Sequence, residues 1–285
     1  MKRLLTFVGA IALLLSCQSK KELGIQLYSV HQDFGNVEAM LQKIADAGYT
    51  TIETLSWNGD PCLGLSVDEY KSLCNRLGLT ITSTHTLIPR NVGDHSATMA
   101  AWRKHFKVMK ALGAKYSVIP GMDFGKTLEE VKATCQYCNE VGELAHEYGL
   151  KLGYHNHKGD FTKVEGQTIL DYVIQNTDPE KFFIQLDVCP LNMGGADPMH
   201  YLRTYPNNIR VLHLKDEGVL GESGKIDIEA IFEQFYANGW HDFYAEYELP
   251  FRIGDNKEEN ESNLNKMWSG VRACAEYLRN ATFVK

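Results

Sequence analysis

The chain has no excess of positive charge: 29 Lys and Arg stand against 36 Asp and Glu, a formal net charge of −7 over 285 residues. That balance argues against a nucleic-acid backbone as the main partner. Long apolar runs are scarce too. The longest, Leu4 to Leu15, is about a dozen residues, short of the ~20 that span a bilayer. No glycine-rich phosphate loop follows the first predicted strand, where Leu27-Tyr28-Ser29-Val30-His31-Gln32-Asp33 stands instead. An open doubly wound sheet would usually carry one there. No Gly-x-Ser-x-Gly elbow occurs and Cys189 has no adjacent His, so a serine or cysteine nucleophile is unsupported. Low-complexity tracts and linkers are also missing. What remains, at 44% hydrophobic residues, suits one large α/β domain with a substantial core.

Residues 1–16 read as a leader rather than as fold. Lys2 and Arg3 precede the apolar run, which ends in Leu14-Leu15-Ser16-Cys17. This resembles a bacterial lipobox, so Cys17 is the expected lipidated N-terminus. Residues 17–23 are then a tether, and 24–285 the catalytic domain. The expected location is outside the cytoplasmic membrane, on the periplasmic side, with the lipid as sole membrane contact. Six further cysteines follow: Cys62, Cys74, Cys135, Cys138, Cys189 and Cys274. An oxidising compartment permits disulfides, but spacing does not pair them. Cys135 and Cys138 lie on the apolar stripe of a helix with Leu128, Val131, Val141 and Leu144, and read as buried small hydrophobes.

A repeating punctuation runs through the chain. Predicted helices end in Gly, and a strand follows at once. Gly48, Gly78, Gly113 and Gly149 are 30, 35 and 36 residues apart, one strand plus one helix each, and Gly239 repeats the pattern. Helix starts agree: Ser66 with Glu69 and Thr127 with Glu130 form capping boxes, and Asp197 precedes Pro198. The spacing predicts strands near 24–30, 50–55, 80–86, 116–121, 151–157, 182–188, 209–216 and 242–248. Helices are expected near 36–47, 66–77, 95–112, 127–148, 167–176, 198–204, 228–238 and 257–281. Eight such units define an α/β fold of (β/α)8, or TIM, barrel type.

Polar groups collect at the strand ends. Side chains alternate across a strand, so His155 and His157 share the interior side, with Asp187, His213 and Lys215, and Glu246 and Glu248 on later strands. The same phasing turns Gln26, Tyr28, Glu53 and His85 inward. His155, Asp187, His213 and Glu246 offer two nitrogens and two carboxylates, a donor set for one divalent Zn, Mn, Fe or Co ion rather than Ca or Mg. Such an ion, chelated by a hydroxyl and a neighbouring carbonyl, acidifies the C–H between them. Glu248, Glu53, His85 and His157 are candidate bases, and His157 is also an alternative ligand or substrate contact. Lys215 either polarises a substrate oxygen or neutralises Asp187 and Glu248. His31, His95, His105, His146, His200 and His241 read as surface residues. The loops 218–225 and 252–261 would lie above the site.

The order Tyr154-His155-Asn156-His157, Leu186-Asp187-Val188, Asp197-Pro198, His213-Leu214-Lys215-Asp216 and Glu246-Tyr247-Glu248 resembles the sugar phosphate isomerase/epimerase family. That family belongs to the xylose isomerase-like barrels, with endonuclease IV and inosose dehydratase. The resemblance spans essentially the whole chain beyond the leader. It implies a metal-dependent enzyme that abstracts a proton next to a carbonyl of a carbohydrate. Isomerisation or epimerisation is the first expectation and dehydration of a keto-sugar or cyclitol the second; a carbohydrate-binding lipoprotein with a vestigial site is the third. Many family members have Glu at the strand-five ligand, where this chain has His155. The ketose epimerases pair two metal-bound Glu, on strands five and eight, and only Glu246 remains here. A Tyr-His-x-His strand five is similar to inosose dehydratase sequences. Endonuclease IV resembles this chain in fold alone. The substrate is expected to be unphosphorylated, because no phosphate cradle is identifiable and phosphorylated sugars are scarce outside the membrane.

Overall fold

Strands with one face turned to helices and the other to a closed interior account for the alternation in the sequence. The computed structural model describes residues 21–56, 59–248 and 256–285. The leader, Cys17 and residues 249–255 of the final loop lie outside the described residues. The barrel strands are β1 (Gly24–Gln26), β2 (Thr51–Leu55), β3 (Thr80–His85), β4 (Tyr116–Ile119), β5 (Lys151–His155), β8 (Phe182–Asp187), β9 (Ile209–Leu214) and β10 (Phe243–Ala245). All pair in parallel, and β1 closes the cylinder by pairing both β2 and β10. A two-residue hairpin, β6 (Lys163–Val164) with β7 (Gln167–Thr168), lies between β5 and the next helix. The helices are α1 (Val37–Ala47), α2 (Val67–Arg76), α3 (His95–Leu112), α4 (Leu128–Glu147), α5 (Ile169–Asn176), α6 (Val188–Met193), α7 (Pro198–Thr204), α8 (Ile228–Ala237) and α9 (Lys257–Asn280).

Local chemistry sets these bounds. Both capping boxes form, and Asp197 caps α7 through the Met199 amide. Gly48 and Gly113 end α1 and α3 at φ of 98° and 88°, a left-handed conformation costly for a side chain. The first strand is shorter than the predicted 24–30. The Gln26 side chain accepts the Tyr28 amide proton and folds residues Leu27–Asp33 into 3-10 turns. Helix α6 was not foreseen; Asp187 ends β8 and caps α6 at once through the Cys189 amide.

Two packed layers result. Outward strand residues such as Ile52, Leu152, Tyr154, Ile184, Leu186, Leu212 and Leu214 join the helices in the main core. Burial of each such aliphatic side chain contributes roughly 1.5–3 kcal/mol. Inside the barrel, Tyr116, Val118, Phe183, Val211 and Tyr244 fill the lower interior. Gly153 leaves room for Phe183: a Cβ there would lie 2.5 Å from its ring. The register shifts between β2 and β3 at Ile52/Glu53, so Thr82 is an extra residue. This bulge turns both Thr82, bonded to Tyr244, and Ser83, bonded to Glu53, inward, and it keeps His85 facing the site. All six cysteines beyond Cys17 are buried free thiols, Cys135 and Cys138 among them. His105 is buried rather than exposed, with Nε2 2.9 Å from Ser117 Oγ and 3.2 Å from Thr86 Oγ1. No helix among the described residues is long and apolar enough to cross a membrane.

Candidate metal centre

The C-terminal ends of β5, β8, β9 and β10 bring His155, Asp187, His213 and Glu246 together. One ligand atom from each lies within 4.8 Å of all the others, and all four residues are buried. His155 Nε2 is 3.6 Å from Asp187 Oδ2. His213 Nδ1 is 3.7 Å from that oxygen and 3.4 Å from Glu246 Oε2. Both ring nitrogens of His213 are buried without a hydrogen-bond partner. An imidazole does not stay so at equilibrium without cost, since an unmatched buried polar atom loses about 1–3 kcal/mol. A cation facing Nδ1 would answer the deficit at that nitrogen and neutralise the two carboxylates. The set of two nitrogens and two carboxylate oxygens fits a divalent transition metal.

Neighbouring groups fix two of the four side chains, Asp187 and His155. Asp187 Oδ1 accepts the Cys189 amide at 3.1 Å, which turns Oδ2 toward the imidazoles. The Asn156 side chain ties the strand ends: its Nδ2 donates to the Asp187 carbonyl at 3.1 Å, and its Oδ1 accepts the Asp187 amide at 2.9 Å. In the sequence Asn156 stands out only within the motif Tyr154-His155-Asn156-His157. Its signal is a fully polar residue just past β5 that continues the otherwise apolar outward alternation of Leu152 and Tyr154. His155 Nδ1 lies 3.2 Å from Gln185 Oε1, so Nδ1–H donates there and Nε2 is left as the ligand atom.

Beneath the four sits a second buried layer on Glu53. Its carboxylate accepts from Gln26 Nε2 at 2.6 Å, Ser83 Oγ at 2.5 Å, Gln185 Nε2 at 2.8 Å and His85 Nε2 at 3.1 Å. His213 Nε2 is 3.8 Å away. Burial pushes this carboxyl up, but His85, His213 and Ser83 outweigh it and bring it down to about 2. Glu53 has no exposed surface and does not line the cavity, so the structure sets it under the floor rather than where a base would reach substrate. His85 does line the cavity. Burial pulls its pKa down, and Glu53 more than compensates, so the net direction is upward. For His155, burial and the neighbouring imidazoles act together, and its pKa falls well below the ordinary value.

A cavity of about 650 Å³ opens above this floor. His157, Lys215, Glu246 and Glu248 line it with His85, His155 and Asp187. His157 is exposed, its ring edge-on to His155 at 4.8 Å, and stands outside the four-residue cluster. Lys215 pairs with Glu248 and lies 3.7 Å from Glu246 Oε1. Burial lowers the pKa of Lys215, but Glu246, Asp187 and Glu248 raise it overall, so it remains an ammonium. The loop after β9 is ordered by Asp216, whose carboxylate accepts the Glu217, Gly221 and Ser223 amides.

A closed parallel (β/α)8 barrel with a buried His/Asp/Glu cluster at the strand ends defines a TIM barrel carrying a candidate metal centre. The chain belongs to the xylose isomerase-like TIM barrel family, whose model matches residues 41–268. A sugar phosphate isomerase/epimerase from Parabacteroides distasonis ATCC 8503 is 31% identical, with a TM-score of 0.82 over 93% of this chain and 100% of that one. Among curated proteins, the inosose dehydratase of Geobacillus thermodenitrificans is 31% identical over 134 residues, 42% of this chain and 44% of the relative. That of Clostridium tetani is 38% identical over 90 residues, 32% of this chain and 30% of the relative. The match thus spans less than half the length of either dehydratase. The IolI protein with a bound zinc atom shares the fold at 15% identity, with a TM-score of 0.69 over 92% of this chain and 98% of that one.

Proposed function

We propose that the protein is a divalent-metal-dependent enzyme that removes a proton next to the carbonyl of an unphosphorylated keto-sugar or cyclitol and then expels a β-hydroxyl as water. The observation that carries this reading is His213, whose buried and unpartnered Nδ1 faces both Asp187 and Glu246. His155, Asp187, His213 and Glu246 would hold the metal. When bound, it supplies a Lewis acid that polarises a carbonyl and stabilises charge developing on its oxygen.

The chain's own groups divide the remaining work. His157 is the proposed base. Its ring opens to the cavity, whereas Glu248 is engaged by Lys215 and His85 by Glu53 and Gln185. Lys215, held charged among carboxylates, places a cation beside the substrate oxygen that gains charge as the proton leaves. His85, which lines the cavity with His155 and His157, presents an imidazole for the proton that the departing hydroxyl needs.

Elimination is preferred over epimerisation because residue 155 is His. A two-carboxylate acid/base pair across the metal is therefore incomplete, and the inosose dehydratase relatives point the same way. Isomerisation or epimerisation remains the second reading, supported by the full-length likeness to the Parabacteroides isomerase/epimerase. NMR in D₂O with Mn- or Zn-loaded protein and a panel of keto-sugars and inososes tests both. Loss of one water is expected, with deuterium entering at the carbon that lost the hydroxyl as the resulting enol ketonises. Deuterium exchange without loss of water supports the second reading, and neither exchange nor loss of water with any substrate contradicts both. Export with a lipid on Cys17 is proposed on the lipobox-like sequence. Absence of Cys17 acylation in the native membrane fraction, read by mass spectrometry, would contradict it.

A further inference from the structure

The cavity is divided between two kinds of wall. The ends of β5, β8, β9 and β10 supply its metal-binding half. The end of β2 supplies Leu55, the segments after β1, β3 and β4 supply Tyr28, Leu87 and Pro120, and α6 adds Pro190 and Met193. Two of these are notable for what does not cover them. Leu87 is 62% exposed and Met193 54% exposed. With Val92, in the same β3–α3 loop as Leu87, they are the exposed large aliphatic side chains among the described residues. All three stand at the end of the barrel that carries the site.

We propose that the cavity accepts a carbohydrate joined to an apolar group, an alkyl or aryl glycoside, with the sugar over the metal-binding half and the apolar group against Leu87 and Met193. The inference rests on the metal-dependent carbohydrate reading above and narrows its substrate class. Three observations converge on it. The apolar wall is continuous with the metal floor in one cavity. The volume of about 650 Å³ lies in the range of pockets for drug-sized ligands, well above the needs of one monosaccharide. The wall is also apolar where a polyol alone would call for hydrogen-bonding groups. Exposed apolar side chains gathered at a cleft, rather than scattered, mark a surface that a ligand covers.

Calorimetric titration of the Zn-loaded full chain tests it. The probes are glucose, xylose and galactose, and the phenyl glycoside of each. At least one phenyl glycoside is expected to bind about tenfold more tightly than its free sugar, by burial of one ring. In a Leu87→Ser, Met193→Ser double variant that gain should vanish while zinc affinity stays unchanged. Equal affinity for free sugars and phenyl glycosides overturns the inference and leaves the carbohydrate reading standing. The same holds if the gain survives in the double variant. No binding of any sugar in either form overturns the inference, while the keto-sugar and inosose panel above decides the metal-dependent reading. Binding of the unmodified chain to phosphatidylcholine vesicles, lost in the double variant, would make the patch a lipid contact and overturn the glycoside assignment. Should the double variant lose its zinc, the comparison of free and phenyl sugars on the unmodified chain decides alone.

Discussion

Glu53 shows what a single buried carboxylate does here. Four donors satisfy it, and two of them, Gln185 and His85, also touch the imidazoles of the centre. Buried beneath the cavity, it is placed to orient its neighbours rather than to reach a substrate. Glu53→Gln should therefore weaken Zn or Mn affinity by about 10–100-fold with the fold intact, as removal of a group supporting metal ligands generally does. Competition with a fluorescent chelator measures this, and an unchanged Kd would contradict it. His105 makes a separate prediction. Burial holds its pKa down to about 4, against roughly 6.5 in an unfolded chain. Between those values the unfolded state binds the proton and the native state does not. The chain therefore loses up to about 3 kcal/mol as pH falls from ~6.5 to ~4. Urea unfolding at pH 7 and pH 4.5 should show a smaller acid loss in His105→Gln. An equal loss in both proteins would contradict the assignment. Its burial was hidden in the sequence, because a helical His beside Trp102 and Phe106 looks the same whether that face meets a strand or solvent.

At the level of the elements, much was legible. Glycine-terminated helices and capping boxes located the units, since each signal is local chemistry that needs no tertiary partner. Alternation placed His155, Asp187, His213 and Glu246 on one side, since each belongs to a strand end with apolar outward neighbours. What the sequence hid depends on long-range pairing. The extra residue Thr82 breaks strict alternation in β3, and only the register with β2 reveals it. The 3-10 turns after β1 arise from one side-chain bond of Gln26. The hydrogen-bonded layer on Glu53 joins residues from four strands, and no spacing rule connects them. Packing inside the barrel gives a direct test. Gly153→Ala forces a methyl to 2.5 Å from Phe183, a ring held among Tyr116, Val118, Val211 and Tyr244. A loss of about 1–3 kcal/mol in chemical denaturation is expected, and a neutral result would show that the ring has room to move.

For the whole molecule, the barrel gathers more ionisable groups than burial alone tolerates. Glu53, His85, His155, Asp187, His213 and Glu246 are all buried around one point. A divalent ion would make that arrangement stable, so added metal should stabilise the whole chain. At a free concentration 100 times Kd the gain is about 2.7 kcal/mol. Thermal denaturation should accordingly show a higher Tm with Mn or Zn than after chelation, and His213→Asn should erase the difference. The central claim concerns where the ion sits. Anomalous diffraction from crystals grown with Mn or Zn measures that most directly. The account predicts one strong peak bounded by His155 Nε2, Asp187 Oδ2, His213 Nδ1 and Glu246 Oε2. A strong peak elsewhere, or none at this centre, would contradict it.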